Sequence, residues 1–281
     1  MTNIRTARIK RRVLLVRGGG LLGIVLTCLI FLFPIIWILS VSVRSDQAVF
    51  TTALVVNEFH FENYLTAWET FGFSSLFLNS IWVTAVSIGI NLIIASLAGY
   101  AFAKLKFKGS NVLFIIYLAQ MMVPSQLTLI PRFVIFSQLG WMNTHMSLIV
   151  PKIIAVSSTF MLRQSFLGTP DELREAARID GAGEYRAFAQ VMLPLVKPAI
   201  AATATVQFLD AWNSYLDPLV FISNWKKWTI PLALNQFVGS EVTQYNLTMA
   251  ACCLAVVPVF IVFLCGQRFF LKGLSVGAVK G

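Results

Sequence analysis

The chain has 281 residues, of which 57% are hydrophobic and only 12% charged, and its formal net charge is +10. A soluble globular domain carries about 25% charged residues, so the composition excludes an ordinary water-soluble fold and points to repeated membrane-length apolar runs. The basic residues lie scattered at the ends of those runs, which excludes a nucleic-acid-binding patch and reads as topology. The four cysteines, Cys28, Cys252, Cys253 and Cys265, all fall inside apolar runs without C-x-x-C spacing, against both a disulfide framework and a zinc site.

The N-terminal arm carries Arg5, Arg8, Lys10, Arg11, Arg12 and Arg17, then opens into an apolar run from Leu21 to Val43. That run exceeds the roughly 7–15 residues of a signal-peptide core and has no small-residue cleavage pattern after it, so it reads as an uncleaved first span. Five further runs follow: Phe73–Phe102, Val112–Phe136, Ser147–Phe166, Ala199–Ser223 and Leu247–Phe270. The expected architecture is all-α and integral to the membrane, with six transmembrane helices. Pro34, Pro124, Pro131, Pro151, Pro218 and Pro258 fall within the runs, where neighbouring helices can satisfy the freed carbonyls. Between the first two spans, roughly residues 44–72, the acids Asp46, Glu58, Glu62 and Glu69 mix with Phe59, Phe61, Tyr64, Trp68 and Phe71, a pattern that suits a short amphipathic surface helix.

Lysine and arginine placement orients the chain. One set of loops holds the arm, then Lys104, Lys106 and Lys108, then Arg163, Arg174, Arg178, Arg186 and Lys197, and finally Arg268, Lys272 and Lys280. The opposite face holds only Arg44, Arg132, Lys226 and Lys227, while Lys152 falls inside the fourth span. The basic side is expected in the cytoplasm, with both termini.

Gly18–Gly23 satisfies G-x-G-x-x-G but lacks the preceding strand and the later acid of a dinucleotide site, and no phosphate-binding G-x-x-x-x-G-K-[ST] occurs. His60 and His145 fall in or beside outer loops without a nucleophile, and read as interfacial side chains. Neither a catalytic nor a metal site is expected.

The polar island at 167–198 is different. Thr169-Pro170-Asp171-Glu172 predicts a helix start, with Thr169 as N-cap, Pro170 at the first helical position and Glu172 closing a capping box. The helix should reach Asp180, where Gly181 permits a turn. Tyr185, Phe188, Ala189 and Met192 then recur as one apolar stripe, and Pro194 and Pro198 end the second helix. Ala176 and Ala177 offer lipid little to bury but let a partner protein approach closely, so the island reads as a docking surface.

In the fifth run Asp210, Asn213 and Asp217 fall at i, i+3 and i+7, interleaved with Phe208, Trp212 and Tyr215. An ionisable group inside a span is a functional candidate. Two readings stay open for Asp210: solute contact, or a pair with Lys152. Asp217, beside Pro218, is expected nearer the outer interface and solvated.

Glu175-Ala176-Ala177, three residues, Gly181, nine residues, then Val191-Met192-Leu193-Pro194 resembles the EAA motif, EAA-x3-G-x9-I-x-L-P, of ABC importer permeases, with valine for isoleucine as the departure. Pro170–Leu173, Ala211-Trp212-Asn213 and the ending Gly277–Gly281 are similar to the sugar-type branch, although Ser214 stands where that branch often has an acid. The resemblance implies a type-1 importer permease fold in a bacterial or archaeal cytoplasmic membrane. Its permease core would be residues 73–267, after an arm, first helix and outer loop (1–72) and before a cytoplasmic tail (268–281). It further implies a coupling helix that docks on a separate ATPase through Glu175, Ala176, Ala177, Asp180, Gly181, Tyr185, Phe188, Leu193 and Pro194. Val279, Lys280 and Gly281 would contact the same ATPase. The implied partners are a second permease subunit, two ATP-binding cassette subunits that use ATP and Mg²⁺, and an extracytoplasmic solute-binding protein. This chain would bind no cofactor itself. A substrate pathway through Asp210, Trp212, Asn213 and Tyr215 for a sugar or oligosaccharide would complete the picture. The alternatives are a permease for a non-sugar solute or an ion-coupled secondary transporter, which would need two related halves.

Overall fold

The computed structural model describes residues 2–50, 58–238 and 244–278, and among these every regular element is helical. The chain divides into two compact units, residues 1–69 with 240–254 and residues 70–239 with 255–281.

In the first unit α1 (Thr2–Ser42) contains the first apolar run, with Pro34 inside it, and α2 (Glu62–Thr70) is the expected short surface helix. Asn63 ties them: its Nδ2 donates to the carbonyls of Ser42 (2.9 Å) and Arg44 (2.8 Å), which the end of α1 leaves free. Tyr64 adds a bond between its hydroxyl and Ser42 Oγ at 2.8 Å. Arg44, expected as a loop charge, is instead buried, donating to Ser40 Oγ at 2.8 Å with its guanidinium 5.5 Å from the Trp37 ring.

The second unit is built around α3 (Phe73–Lys104). Its buried positions Phe73, Leu76, Ser80, Val83, Ser87, Asn91, Ala95 and Gly99 recur every three or four residues and are mostly small or polar. Its outer face carries Leu78, Ile81, Trp82, Ile93 and Leu97, all exposed. That inversion, polar and small inside with large and apolar outside, is how a helix packs when its solvent is lipid.

The third run is not a straight span. α4 (Ser110–Ala119) tightens into a 3₁₀ turn at Gln120–Met122. Pro124 follows, and the chain turns by 91° into a second helical stretch, Ser125–Gln138, most of which is α5 (Leu129–Gln138). Proline restricts the residue before it to extended backbone, which ends the helix there. The fourth run is α6 (Met146–Ile149), a 3₁₀ turn at Val150–Lys152 and α7 (Val156–Leu167).

The polar island forms α8 (Asp171–Ile179), α9 (Glu184–Arg186), a π-helical turn Ala187–Met192 and α10 (Leu193–Leu195). The chain then bends by 76° into α11 (Lys197–Trp212). The fifth run was expected as one helix, but α11 ends at Trp212 and α12 (Leu216–Phe221) starts anew after the break. α13 (Ile230–Val238) and α14 (Tyr245–Ala278) complete the chain. Among the described residues four helical stretches are long and apolar enough to cross a membrane, and the two bent pairs bring the number to six if each counts as one span.

Two apolar clusters hold the second unit. One joins Ala95, Tyr100, Leu162, Phe166, Phe188, Met192 and Val196; the other joins Val83, Phe136, Leu148, Ile149, Phe221 and Ile222. α3 and α7 approach so closely at Gly99 that an added Cβ would lie 2.9 Å from the Arg163 backbone nitrogen. Gly266 likewise faces Thr205, whose Oγ1 would be 2.5 Å from such a Cβ. Because the obstruction at Gly99 is backbone, it cannot swing aside. Gly99→Ala should therefore cost about 1–3 kcal/mol by overpacking, seen as a lower midpoint of thermal unfolding in detergent. Gly89→Ala, where an added methyl meets nothing, should leave that midpoint unchanged.

Candidate functional site

The capping box at the start of α8 does not form. Thr169 Oγ1 donates backwards to the Phe166 carbonyl at 2.6 Å, closing α7, and Pro170 takes extended backbone just before the first helical residue. Lys104 at the end of α3 instead ties down the residues that lead into α8. Its buried ammonium donates to the Thr169 carbonyl at 2.7 Å and to Asp171 Oδ1 at 2.6 Å. That hydrogen bond holds the Asp171 carboxyl below its ordinary 3.8 against the opposing effect of burial, with the lysine's charge adding to the lowering.

The other end of α8 behaves as the sequence suggests. Gly181 sits at φ +84°, its N–H meets the Arg178 carbonyl (3.1 Å), and the Ala182 N–H meets the Ala177 carbonyl (2.9 Å). This is a Schellman closure, which needs a left-handed residue at the glycine position. A second tie joins α3 to α9: Tyr100 Oη donates to Glu184 Oε1, and Arg174 Nη1 donates to the same oxygen at 3.3 Å.

The expected docking residues divide by exposure. Glu175, Ala176, Asp180, Gly181, Tyr185 and Pro194 are exposed, and Leu193 is half-buried. Ala177 is buried under the loop. Phe188 is buried as well, 5.0 Å from the Tyr100 ring, so it anchors the loop from within. The four-residue stripe is corrected in one respect. The π turn widens the helix and puts Ala187, Phe188 and Met192 inward, leaving Tyr185 77% exposed. Ile179, which the motif does not single out, is 86% exposed at the end of α8.

A second feature lies at the break after α11. Sixteen residues of helix span about 24 Å, short of the roughly 30 Å of hydrocarbon that a membrane helix must cross, so α11 alone is too short for a span. Non-helical backbone within the hydrocarbon is tolerated only inside protein or beside a polar cavity. A 440 Å³ cavity does lie at the break, and Gln126, Arg132, Lys152, Asp210, Asn213 and Asp217 supply its polar lining.

Three of the four expected pathway residues, Asp210, Asn213 and Tyr215, line this cavity, although the break separates them. Tyr215 donates from its hydroxyl to Asn235 Oδ1 at 2.8 Å. Trp212 does not join them. It is buried against Phe208, and its indole N–H donates to the Ala255 carbonyl at 3.2 Å. Of the two readings of Asp210, the pair with Lys152 is present, at 2.8 Å. Asp217 is not merely solvated: Arg132 Nη2 meets its Oδ1 at 3.0 Å. Among the described residues, no group of three or more His, Cys, Asp or Glu side chains could hold a metal. The tail residues Val279, Lys280 and Gly281 lie outside the described residues.

Residues 91–276, which contain both features, match the family described as binding-protein-dependent transport system inner membrane component, and the chain belongs to that family. The chain is 33% identical over 265 residues to the arabinooligosaccharides transport system permease protein AraQ of Halalkalibacterium halodurans, covering 92% of this chain and 95% of the relative. It is 33% identical over 278 residues to the trehalose/maltose transport system permease protein MalG of Thermococcus litoralis, covering 96% and 98%. The fold is similar to that of a chain in the crystal structure of a bacterial ABC transporter involved in the import of the acidic polysaccharide alginate. The TM-score is 0.81 at 24% identity, covering 92% of this chain and 97% of that one.

Because Lys104 is buried, Asp171→Ala would leave its ammonium with one carbonyl partner, a loss of about 1–3 kcal/mol. Amide exchange across Glu172–Ile179 should accelerate about tenfold or more, read by mass spectrometry. The pH dependence has a definite sign. A carboxyl lowered in the folded state stabilises above its unfolded value, and that contribution is lost as pH falls through the depressed one. Protection of α8 should therefore hold at neutral pH and weaken only below pH 3.8.

Proposed function

We propose that this chain is a permease subunit of an ATP-driven, binding-protein-dependent importer of a sugar or oligosaccharide. It pairs with a second permease, receives solute from an extracytoplasmic binding protein and takes its motion from two ATPase subunits that bind ATP and Mg²⁺. Family membership across the loop and the broken helix carries this reading. The solutes for which AraQ and MalG are named, arabinooligosaccharides and trehalose or maltose, support the solute class.

The polar island is the coupling loop. Its own hydrogen-bonding groups are tied to α3, yet Ile179 and Tyr185 stand exposed beside Glu175, Ala176 and Asp180. A loop braced from behind, with apolar side chains left uncovered in front, suits a partner's cleft. Ala177, Gly181, Phe188, Leu193 and Pro194 give that face its shape. The basic residues assign the loop and both termini to the cytoplasm, with a permease core at 73–267 and the tail residues Val279, Lys280 and Gly281 reaching toward the ATPases. The solute route passes Asp210, Asn213 and Tyr215. ATP binding and hydrolysis belong to the partner subunits.

Glu175→Lys reverses a charge on the exposed face, and Gly181→Pro forbids the φ of +84° that closes α8. Either should cut co-purification of the ATPase and reduce uptake more than about tenfold, since interface charge reversal costs several kcal/mol. Full uptake and intact assembly in both variants would refute the docking assignment.

A further inference from the structure

The four charged groups of the cavity are not equally accessible. Lys152 keeps 14% of its side-chain exposure and Arg132 18%, whereas Asp210 keeps 64%. Each cation is engaged. Lys152 Nζ lies 2.8 Å from Asp210 Oδ2. Arg132 Nη2 donates to Asp217 Oδ1 at 3.0 Å and reaches the Ser125 carbonyl at 3.5 Å, with its guanidinium 5.5 Å from the Phe221 ring.

The formal charges cancel, but the accessible surface is one-sided. Its accessible polar groups are the Asp210 carboxylate, the exposed amides of Asn213 and Gln126, the Ser125 hydroxyl and the half-buried Ser214 and Tyr215, while Lys152 sits back behind Asp210 and the Arg132–Asp217 pair is covered on both sides, Asp217 keeping 16%. A sugar hydroxyl both donates and accepts, so it can donate to a carboxylate and accept from an amide N–H. An anionic solute meets a like charge first. To reach Lys152 it must displace Asp210 from its 2.8 Å contact with that ammonium.

Resting on the importer reading, we propose that this cavity selects for uncharged, polyhydroxylated solutes: Asp210 and Asn213 pair with sugar hydroxyls, and the covered Lys152 and Arg132 withhold the counter-charge that acidic saccharides need. Asp210 then sets the solutes apart by repelling the anionic competitor as well as by binding the neutral sugar.

The test uses the complete permease–ATPase complex without its binding protein, so that selection by the binding protein does not enter. Binding is measured by titration calorimetry with a neutral arabino- or malto-oligosaccharide and with an alginate oligosaccharide of equal length. The wild-type complex should prefer the neutral probe by about tenfold or more, the scale of a like-charge clash. Asp210→Asn, nearly isosteric, should erase most of that preference. The exchanged pair Lys152→Asp with Asp210→Lys should reverse it; a merely structural ion pair would be restored by the exchange and keep the wild-type preference. Equal affinity for both probes in the wild type, binding of neither, or wild-type preference in the exchanged pair overturns the inference. Where the exchanged pair does not assemble, Asp210→Asn alone decides. Uptake of neutral oligosaccharide into proteoliposomes by the full wild-type system, measured alongside, separates the two failures. If that uptake is absent the importer reading falls, whereas if it is present without charge preference at the cavity only this inference falls.

Discussion

A polar group inside a hydrocarbon layer must be met by another polar group of the protein, and most of this structure follows from that requirement. The buried stripe of α3 places Ser80 and Asn91 where its neighbours lose backbone bonds. Asn91 Nδ2 donates to the Ile153 carbonyl at 3.2 Å, where the chain has left the 3₁₀ turn and not yet entered α7. Ser80 Oγ accepts from the Ile230 N–H at 2.9 Å, at the first residue of α13. Asn79 Nδ2 donates to the carbonyls of Lys226 and Trp228. Breaks in the surrounding helices are thus stabilised from one continuous helix. The same constraint explains why Lys152 and Arg132 are each found with an acid, since a lone charge at that depth would be costly.

At the other end of α3 the requirement is mechanical. Lys104 and Tyr100 grip the two halves of the polar island, at Thr169 and Asp171 and at Glu184. The π turn then places Phe188 and Met192 against Tyr100 and Phe166. The loop is braced by charge on one side and by aromatic packing on the other. Its outward surface is left with Ile179 and Tyr185, both exposed among the described residues.

Much of this was legible in the sequence because periodicity and turn chemistry are local. The all-helical class, the existence of the island, the turn at Gly181 and the pairing option for Lys152 and Asp210 all come from spacing and residue type. What escaped was non-local. Nothing near Thr169 in the chain announces that its hydroxyl will turn back to Phe166 or that Lys104, 65 residues earlier, will hold its carbonyl. The helical stripe Tyr185–Met192 assumed 3.6 residues per turn, and the wider π turn breaks that period after Tyr185. Asp210, Asn213 and Asp217 looked like one face of one helix, yet the helix ends at Trp212 and the cavity gathers them instead. The signal that could have found the break is the polar run Asn213-Ser214 followed by Pro218, read as a helix end and not as a decorated span.

The loop and the cavity are the two ends of a single helix. α11 leaves the island at Lys197, just past Val196 in the buried cluster beneath the loop, and delivers Asp210 to the cavity wall. It is bounded by a 76° bend at its start and by the Asn213–Tyr215 break at its end. An α-helix of sixteen residues is stiff compared with either boundary, so it moves as a rod when its ends yield. A displacement of the loop then has in α11 a stiff route to the cavity. The Lys152–Asp210 contact, which joins the start of the α7 span to the far end of that rod, is the contact such a movement would strain first. The charge that shapes the cavity and the charge that would register the loop's motion are, on this geometry, the same carboxylate.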